Sequence, residues 1–328
     1  MTVREVLVLR ALGLGDFLTG VPAYRALRRA FPDAHLTLAS PSAFAPLVRL
    51  VGGIDRLLPT EGLGRLAYEG RPDLAVNLHG AGPESIDDLQ STRPRRLLTH
   101  AHPQRVAVQG PEWLVDQHEV VRWCRLLATA GIVATPTDLR LAEPRERTVA
   151  IPDAVVIHPG ASAPARRWPS GRYAVVARWL SAKGHRVVIT GGRSESGLAA
   201  QVLHAAGLPR NRLLVDLDLA DLAALVASAR LVICGDTGVA HLATAYGTRS
   251  VILFGPTSPA NWGPPRSGAH TVLWSGHVGN PHGRRPDPGL LEIGVDAVLE
   301  AATDRLNGSA SAYRIGRPPV TAILAPEM

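Results

Sequence analysis

The strongest constraint in this sequence is the repeated alternation of short apolar, β-rich runs with segments of helical period. Val6 to Leu9 reads as a strand, Asp16 to Ala30 as a helix, His35 to Ala39 as a strand and Phe44 to Leu50 as a helical stretch. Leu74 to Leu78 is a further strand, ending at His79-Gly80. The helical run from Gln117 to Ala130 carries Val120, Val121, Trp123, Cys124, Leu126 and Leu127 and stops at Gly131, a usual C-cap residue. Leu139 to Thr148 is polar with one proline, the texture of an interdomain linker, and sets a boundary near Arg147. A second series follows. Its strands are Val155 to His158, Arg186 to Thr190, Leu213 to Asp216, Leu231 to Cys234 and Ser250 to Phe254. Its helices are Tyr173 to Ala182, Ser196 to Ala206, Asp221 to Ala229, Gly238 to Tyr246 and Val295 to Leu306. Two such series predict an α/β chain of twin Rossmann-like domains, residues 1–147 and 148–306. The tail, Asn307 to Met328, has adjacent prolines at 318 and 319 and no period, and is expected to be extended or disordered.

With 328 residues, 46% hydrophobic and 19% charged, the chain can bury two cores, which excludes an intrinsically disordered protein. Its two cysteines, Cys124 and Cys234, match no metal or redox spacing and read as buried thiols of a reducing cytoplasm. The formal charge is +7, and Lys183 is the only lysine, so arginine supplies nearly all the cation. Anionic partners fit this balance, but 34 arginines against one lysine, with abundant Ala, Pro and Gly, fit a GC-rich coding composition better than a charge-based function. No arginine run interleaved with aromatics appears, nor a zinc or helix-turn-helix signature, so nucleic acid is not among them. No apolar stretch approaches the roughly 18 residues of a membrane span, and no signal peptide is seen. The expected location is the cytoplasm, with peripheral contact at the inner membrane surface as an extension of it.

In doubly wound sheets ligands bind beyond the carboxyl ends of the strands, so the turns there are searched for chemistry. The first is Arg10-Ala11-Leu12-Gly13-Leu14-Gly15-Asp16, where glycines admit a close ligand and the next helix offers free N–H groups. A dinucleotide fingerprint would need a third glycine where Leu18 stands, which disfavours a dehydrogenase. Asp16 has two readings: a first-turn capping carboxylate, or a base accepting a proton from a substrate hydroxyl. The helix start lowers its basicity unless burial offsets that. The second turn runs His158-Pro159-Gly160-Ala161-Ser162 and on to Arg166-Arg167-Trp168-Pro169. Its guanidiniums suit a diphosphate, although taken alone such a pair more often forms a solvated face; Trp168 and Pro169 read as a structural wedge. The third is Cys234-Gly235-Asp236-Thr237-Gly238-Val239-Ala240-His241, an anion cradle at a helix start. His241 is either a structural histidine or a group facing the ligand. Phe254 to Pro259 and Asn261 to Pro264 form a rigid loop suited to closing the same site.

Together, LGLGD at 12–16, VPAYRALRRAFP at 21–32, the HPG…RRWP segment and CGDTGVAHLATAYG followed by SVILFGPTSPANWGP resemble glycosyltransferase family 9, the ADP-heptose:lipopolysaccharide heptosyltransferases. The resemblance spans about residues 3–305 in the family's order and spacing. It implies a GT-B fold: two Rossmann-like domains facing across a cleft, the acceptor held by the first and the donor nucleotide by the second. It also implies metal-independent inversion at the sugar carbon, with no cofactor beyond an ADP-sugar co-substrate and no metal site. Asp16 matches the family's base. Asp236, Thr237, Gly238 and His241 match its DTGxxH motif for donor phosphates and sugar. Arg166 stands where the family usually has a lysine for the donor phosphates, and Ser162 near a hydroxyl-bearing position beside them. Glu195 resembles the acidic residue at the adenosine ribose. On the acceptor side are Gly13, Gly15, Asn77 and His79, with Asn77-Leu78-His79-Gly80 where the family often has Asp-Leu-Gln-Gly. The implied donor is ADP-heptose, and the implied acceptor a glycan, a lipid-linked sugar or a secondary metabolite. Alternatives of the same architecture are a nucleotide-sugar epimerase and a non-catalytic nucleotide-sugar-binding protein.

Overall fold

A computed structural model describes residues 2–144, 151–266 and 268–308, and the backbone of 312–315. The chain forms two compact units, Met1–Ala142 and Glu143–Met328. Their division lies inside the polar stretch from Leu139 to Thr148, five residues before Arg147, which itself lies outside the described residues.

The first unit holds parallel strands β1 (Glu5–Leu9), β2 (His35–Ser40), β3 (Arg56–Pro59), β4 (Leu74–Asn77) and β5 (Arg96–Leu98), in the order β3-β2-β1-β4-β5. Helices α1 (Leu14–Thr19), α2 (Val21–Ala30), α3 (Ala45–Val51), α4 (Glu84–Ser91) and α5 (Glu119–Ala128) accompany it. Val6 to Leu9 are wholly buried, the continuous apolar run that a strand needs when both faces of its sheet are covered. The expected helix from Asp16 to Ala30 is two helices joined at Gly20. Pro22, in the first turn of α2, has no N–H with which to continue α1. Strands β3 and β5, of four and three residues, and helix α4 were not foreseen from the sequence. The two strands are too short for periodicity to register and are paired by the longer strands beside them, while α4 has only Ile86 and Leu89 as apolar residues.

The second unit holds β6 (Val155–His158), β7 (Val187–Gly191), β8 (Leu213–Val215), β9 (Leu231–Gly235), β10 (Ser250–Phe254), β11 (His270–Trp274) and β12 (Ala312–Ile315). They are ordered β12-β11-β10-β9-β6-β7-β8, and each adjacent pair is parallel. Its helices are α6 (Ser170–Ala182), α7 (Ser196–Ala206), α8 (Leu219–Ser228), α9 (Gly238–Tyr246), α10 (Pro259–Trp262), α11 (Pro288–Glu292) and α12 (Val295–Leu306). The tail is corrected in part: residues 312–315 are extended, but as a paired edge strand on β11, so the second sheet does not end at 306. Trp168 is the expected wedge, buried edge-on to Tyr173 at 4.9 Å with its indole N–H donating to the Ile293 carbonyl at 3.0 Å. Cys124 and Cys234 are both buried, and burial raises both thiols, Cys124 to about 11.

In each unit the first strand sits mid-sheet, with its successors on one side and a later strand on the other, β4 beside β1 and β9 beside β6. Chain connections leave such a pair in opposite directions, which opens a crevice at the strands' carboxyl ends. Both crevices coincide with glycine turns picked out in the sequence. No helix among the described residues is long and apolar enough to cross a membrane.

Candidate active site

In the first unit the turn after β1 is organised by Arg10, a fully buried guanidinium. Its Nη2 donates to the Thr19 hydroxyl at 2.9 Å and to Glu119 Oε1 at 3.1 Å, its Nε donates to the Asp16 carbonyl, and its Nη1 to the Leu78 carbonyl. A buried cation without such partners would be expensive. Asp16 stands at the third position of α1 with its carboxylate 3.6 Å from Arg10 Nη2 and its side chain 28% exposed. The backbone N–H groups of Gly13 and of Asp16 itself act on this carboxylate electrostatically. A place in the first turn of α1 and basicity are not alternatives here, because the same carboxylate lies at the helix start and is partly exposed. Burial raises its pKa; Arg10 and the two N–H groups pull it down, and the Glu119 charge pushes it up. Desolvation outweighs the helix start, which leaves a partly exposed carboxylate more basic than usual.

Across the crevice, His79 follows β4. Its ring Nδ1 accepts the Ala11 N–H at 3.2 Å, and its backbone N–H donates to Asn77 Oδ1 at 3.1 Å. Burial and the Arg10 charge lower it to about 4, so it is neutral above that. Asn77 departs from the expected acceptor-side placement. It is wholly buried, with its Nδ2 donating to Ser85 Oγ at 3.0 Å and Thr99 Oγ1 at 2.9 Å, so it shapes the turn that carries His79 and faces no ligand. Gly13 is the N-cap of α1, and Gly15 lies in its first turn.

In the second unit the structure joins Ser162, Arg166 and Asp236. Arg166 Nη2 lies 3.2 Å from Asp236 Oδ2 and donates to its carbonyl, while Nη1 donates to Ser162 Oγ at 3.3 Å. Arg166 Nε is buried without a hydrogen-bond partner. Asp236 is 3% exposed and pins the turn after β9 by donating its N–H to the Leu253 carbonyl at 3.1 Å. The two turns meet because position 235 is glycine: a Cβ there would stand 2.9 Å from the Arg166 carbonyl oxygen. Thr237 is the N-cap of α9 but makes no side-chain capping bond, and the helix starts at Gly238. Ala240 N–H turns back to the Thr237 carbonyl at 2.9 Å, and the N–H groups of Gly238 and Val239 with the helix dipole favour an anion. His241 lies in the same helix, edge-on to Trp262 at 6.1 Å. A guanidinium and a helix start thus share one strand-end crevice, the chemistry of a phosphate site. Arg167 instead braces the turn after β6, its Nε donating to the Ala161 carbonyl at 2.9 Å.

Glu195 lies apart from this group, after β7. Its Oε2 accepts the Gly192 N–H at 3.0 Å and sits 3.5 Å from His158 Nε2, in the space that a Cβ on Gly160 would occupy. His158 is buried against Thr190 at 3.1 Å, and burial lowers its pKa against the opposing pull of Glu195. Among the described residues, no three His, Cys, Asp or Glu side chains gather where they could hold a metal ion. Sequence reading missed Arg10 and Glu119. A Glu119–Arg122 pair on the same helix face as buried Val120 and Trp123 was the signal that could have revealed them.

Residues 103–288, more than half of the chain, match the model of glycosyltransferase family 9 (heptosyltransferase). The chain is 23% identical over 306 residues to lipopolysaccharide heptosyltransferase 2 of Salmonella typhimurium, covering 82% of this chain and 87% of that one. It is 25% identical over 293 residues to lipopolysaccharide heptosyltransferase 1 of Pseudomonas aeruginosa, covering 78% and 79%. In fold it is similar to the glycosyltransferase family 9 structure from Veillonella parvula, with a TM-score of 0.79 at 21% identity, covering 94% of this chain and 99% of that one. The family match, the homologous heptosyltransferases and the two parallel α/β units agree: the chain belongs to glycosyltransferase family 9 and is a glycosyltransferase of the GT-B fold.

Proposed function

We propose that this protein transfers heptose from ADP-heptose to a hydroxyl of a lipopolysaccharide-core-type glycan, with inversion and without a metal. The observation that carries the reading is Asp16, a partly exposed carboxylate that burial makes more basic, at the strand-end crevice of the first unit. In this mechanism Asp16 takes the acceptor hydroxyl proton as the oxygen bonds to the anomeric carbon. The carbon–diphosphate bond breaks with its electron pair leaving on ADP, and one such displacement inverts the centre. Arg166 and the N–H groups at the start of α9 receive the diphosphate charge, the part a divalent cation plays elsewhere. Thr237, Gly238 and His241 hold donor phosphates and sugar, and Glu195 meets the ribose with the carboxylate oxygen that Gly192 does not use. The heptosyltransferase relatives support the donor and acceptor classes.

Replacing Asp16 by Asn tests the base. Transfer is expected to fall by about 10²-fold or more, while ADP affinity, measured by calorimetry, is unchanged. A variant that transfers at the parent rate would refute it. Isomerised donor formed without acceptor would instead identify an epimerase, and donor binding with no turnover a binding protein. Activity unaffected by EDTA is the expected result for the metal. Action at the cytoplasmic membrane face is part of this reading, supported by the net charge of +7 and by Val106 and Val115, 89% and 76% exposed on the loop before α5. Sedimentation with anionic vesicles tests it.

A further inference from the structure

We propose that Glu119 is a positioning residue for the transfer reaction: it shares the buried Arg10 guanidinium with Asp16 and so keeps Asp16 available as a base. The inference rests on the assignment of Asp16 above. Arg10 Nη2 is the common atom, 3.6 Å from Asp16 Oδ1 and 3.1 Å from Glu119 Oε1. Glu119 is itself fixed from its own helix. Arg122 Nε donates to Oε2 and the Trp123 indole N–H donates to Oε1, both at 3.1 Å. The Arg10 guanidinium also lies 4.8 Å from the Trp123 ring centroid, so α5 holds both members of the pair. The result is a row of alternating charge, Asp16, Arg10, Glu119, Arg122, of which only Asp16 has an appreciably exposed side chain.

A guanidinium facing a lone carboxylate favours its ionised form and weakens it as a base. A second carboxylate on the same guanidinium offsets that pull without touching the substrate. Arg122 apart, the other groups facing this site carry no charge near neutrality: His100, just after β5, acts on Glu119 and is neutral above about 4. Tyr24, from α2, is buried and its hydroxyl is raised far above neutral pH, while His79, from the turn after β4, is neutral above about 4. Arg122 lies beyond Glu119, and its attraction to Asp16 acts over a greater distance. Glu119 is thus the negative charge that balances Arg10.

Glu119→Gln keeps the shape and an acceptor for Trp123 but removes the charge. The acid limb of the kcat/KM profile should move to lower pH, and the plateau fall about threefold as the base weakens. KM for the nucleotide sugar should hold. Glu119→Asp withdraws the charge by one methylene, and its limb should lie between those of the parent and the Gln variant. A purely structural role would lower melting temperature and active fraction but leave the limb where it is. An unmoved limb in Glu119→Gln, or in Glu119→Asp should the first variant not fold, overturns the proposal, as does a limb displaced to higher pH. Asp16→Asn, assayed in parallel, separates the two ideas. If it is inactive while the limb stays put, only Glu119 is misassigned. If it is active, the base assignment itself has failed.

Discussion

Removing the Arg166 guanidinium changes two measurable quantities by separate routes. The first is stability. Its partner Asp236 has a side chain 5% exposed, while that of Arg166 is 23% exposed, which places the pair between a surface bridge and a buried one. Surface pairs are worth up to about 1 kcal/mol, and breaking a buried pair costs about 3–5 kcal/mol, so Arg166→Ala should cost about 2 kcal/mol. For a unit of this size that is a fall of about 4–8 °C in melting temperature. The second is affinity. A charge-assisted hydrogen bond to a phosphate is worth about 1.5–3 kcal/mol, so ADP should bind roughly 10- to 100-fold more weakly. Arg166→Ala combined with Asp236→Asn separates the two, because it removes the orphaned carboxylate charge and restores much of the stability without restoring the phosphate contact. Scanning calorimetry and titration with ADP read both numbers on the same samples. ADP affinity at the parent level in Arg166→Ala would remove Arg166 from the phosphate site. A double variant that melts no higher than the single one would refute the pairing energy.

His100, held edge-on between Trp113 at 5.0 Å and Trp123 at 5.8 Å, is buried with neither ring nitrogen hydrogen-bonded. His100→Phe should therefore match or exceed the parent's stability at pH 7 by about 1 kcal/mol; a loss in urea melts would show that the nitrogens are satisfied. Burial lowers His100 to about 4, below its usual 6.5. Between those values the unfolded chain binds more protons, so stability drains away as pH falls through that window. His100→Phe should flatten this decline in part, since His79 titrates in the same range. Gly160→Ala places a Cβ 2.2 Å from the Glu195 carboxyl carbon. The carboxylate must swing away, at a cost of about 1 kcal/mol for its bond to Gly192; an unchanged melting temperature would show that it is not held as described.

What could be read in advance was local in sequence. The turns after β1, β6 and β9 each carry their glycines and polar residues within about nine residues, so spacing alone placed Asp16, Ser162, Arg166 and Asp236 at strand ends. Arg10 and Glu119 are 109 residues apart and meet only because β1 and the start of α5 converge, which no periodicity encodes. Asn77 misled for the opposite reason. An amide beside His79 looks like a ligand contact in one dimension, and only the burial of β4 shows it satisfied by Ser85 and Thr99. The break at Gly20 was legible in principle from Pro22, but the apolar stripe continues across it.

The edge strand β12 has a practical consequence for anyone shortening this chain. Hydropathy and period invite a cut after Leu306, where α12 ends. Such a trim would strip Ala312 to Ile315 from Thr271 to Trp274 and leave a row of main-chain amides and carbonyls open along β11. Exposed rims of that kind recruit strands from neighbouring molecules. A truncated preparation is thus prone to self-association, and its aggregation would report on the cut and not on the enzyme.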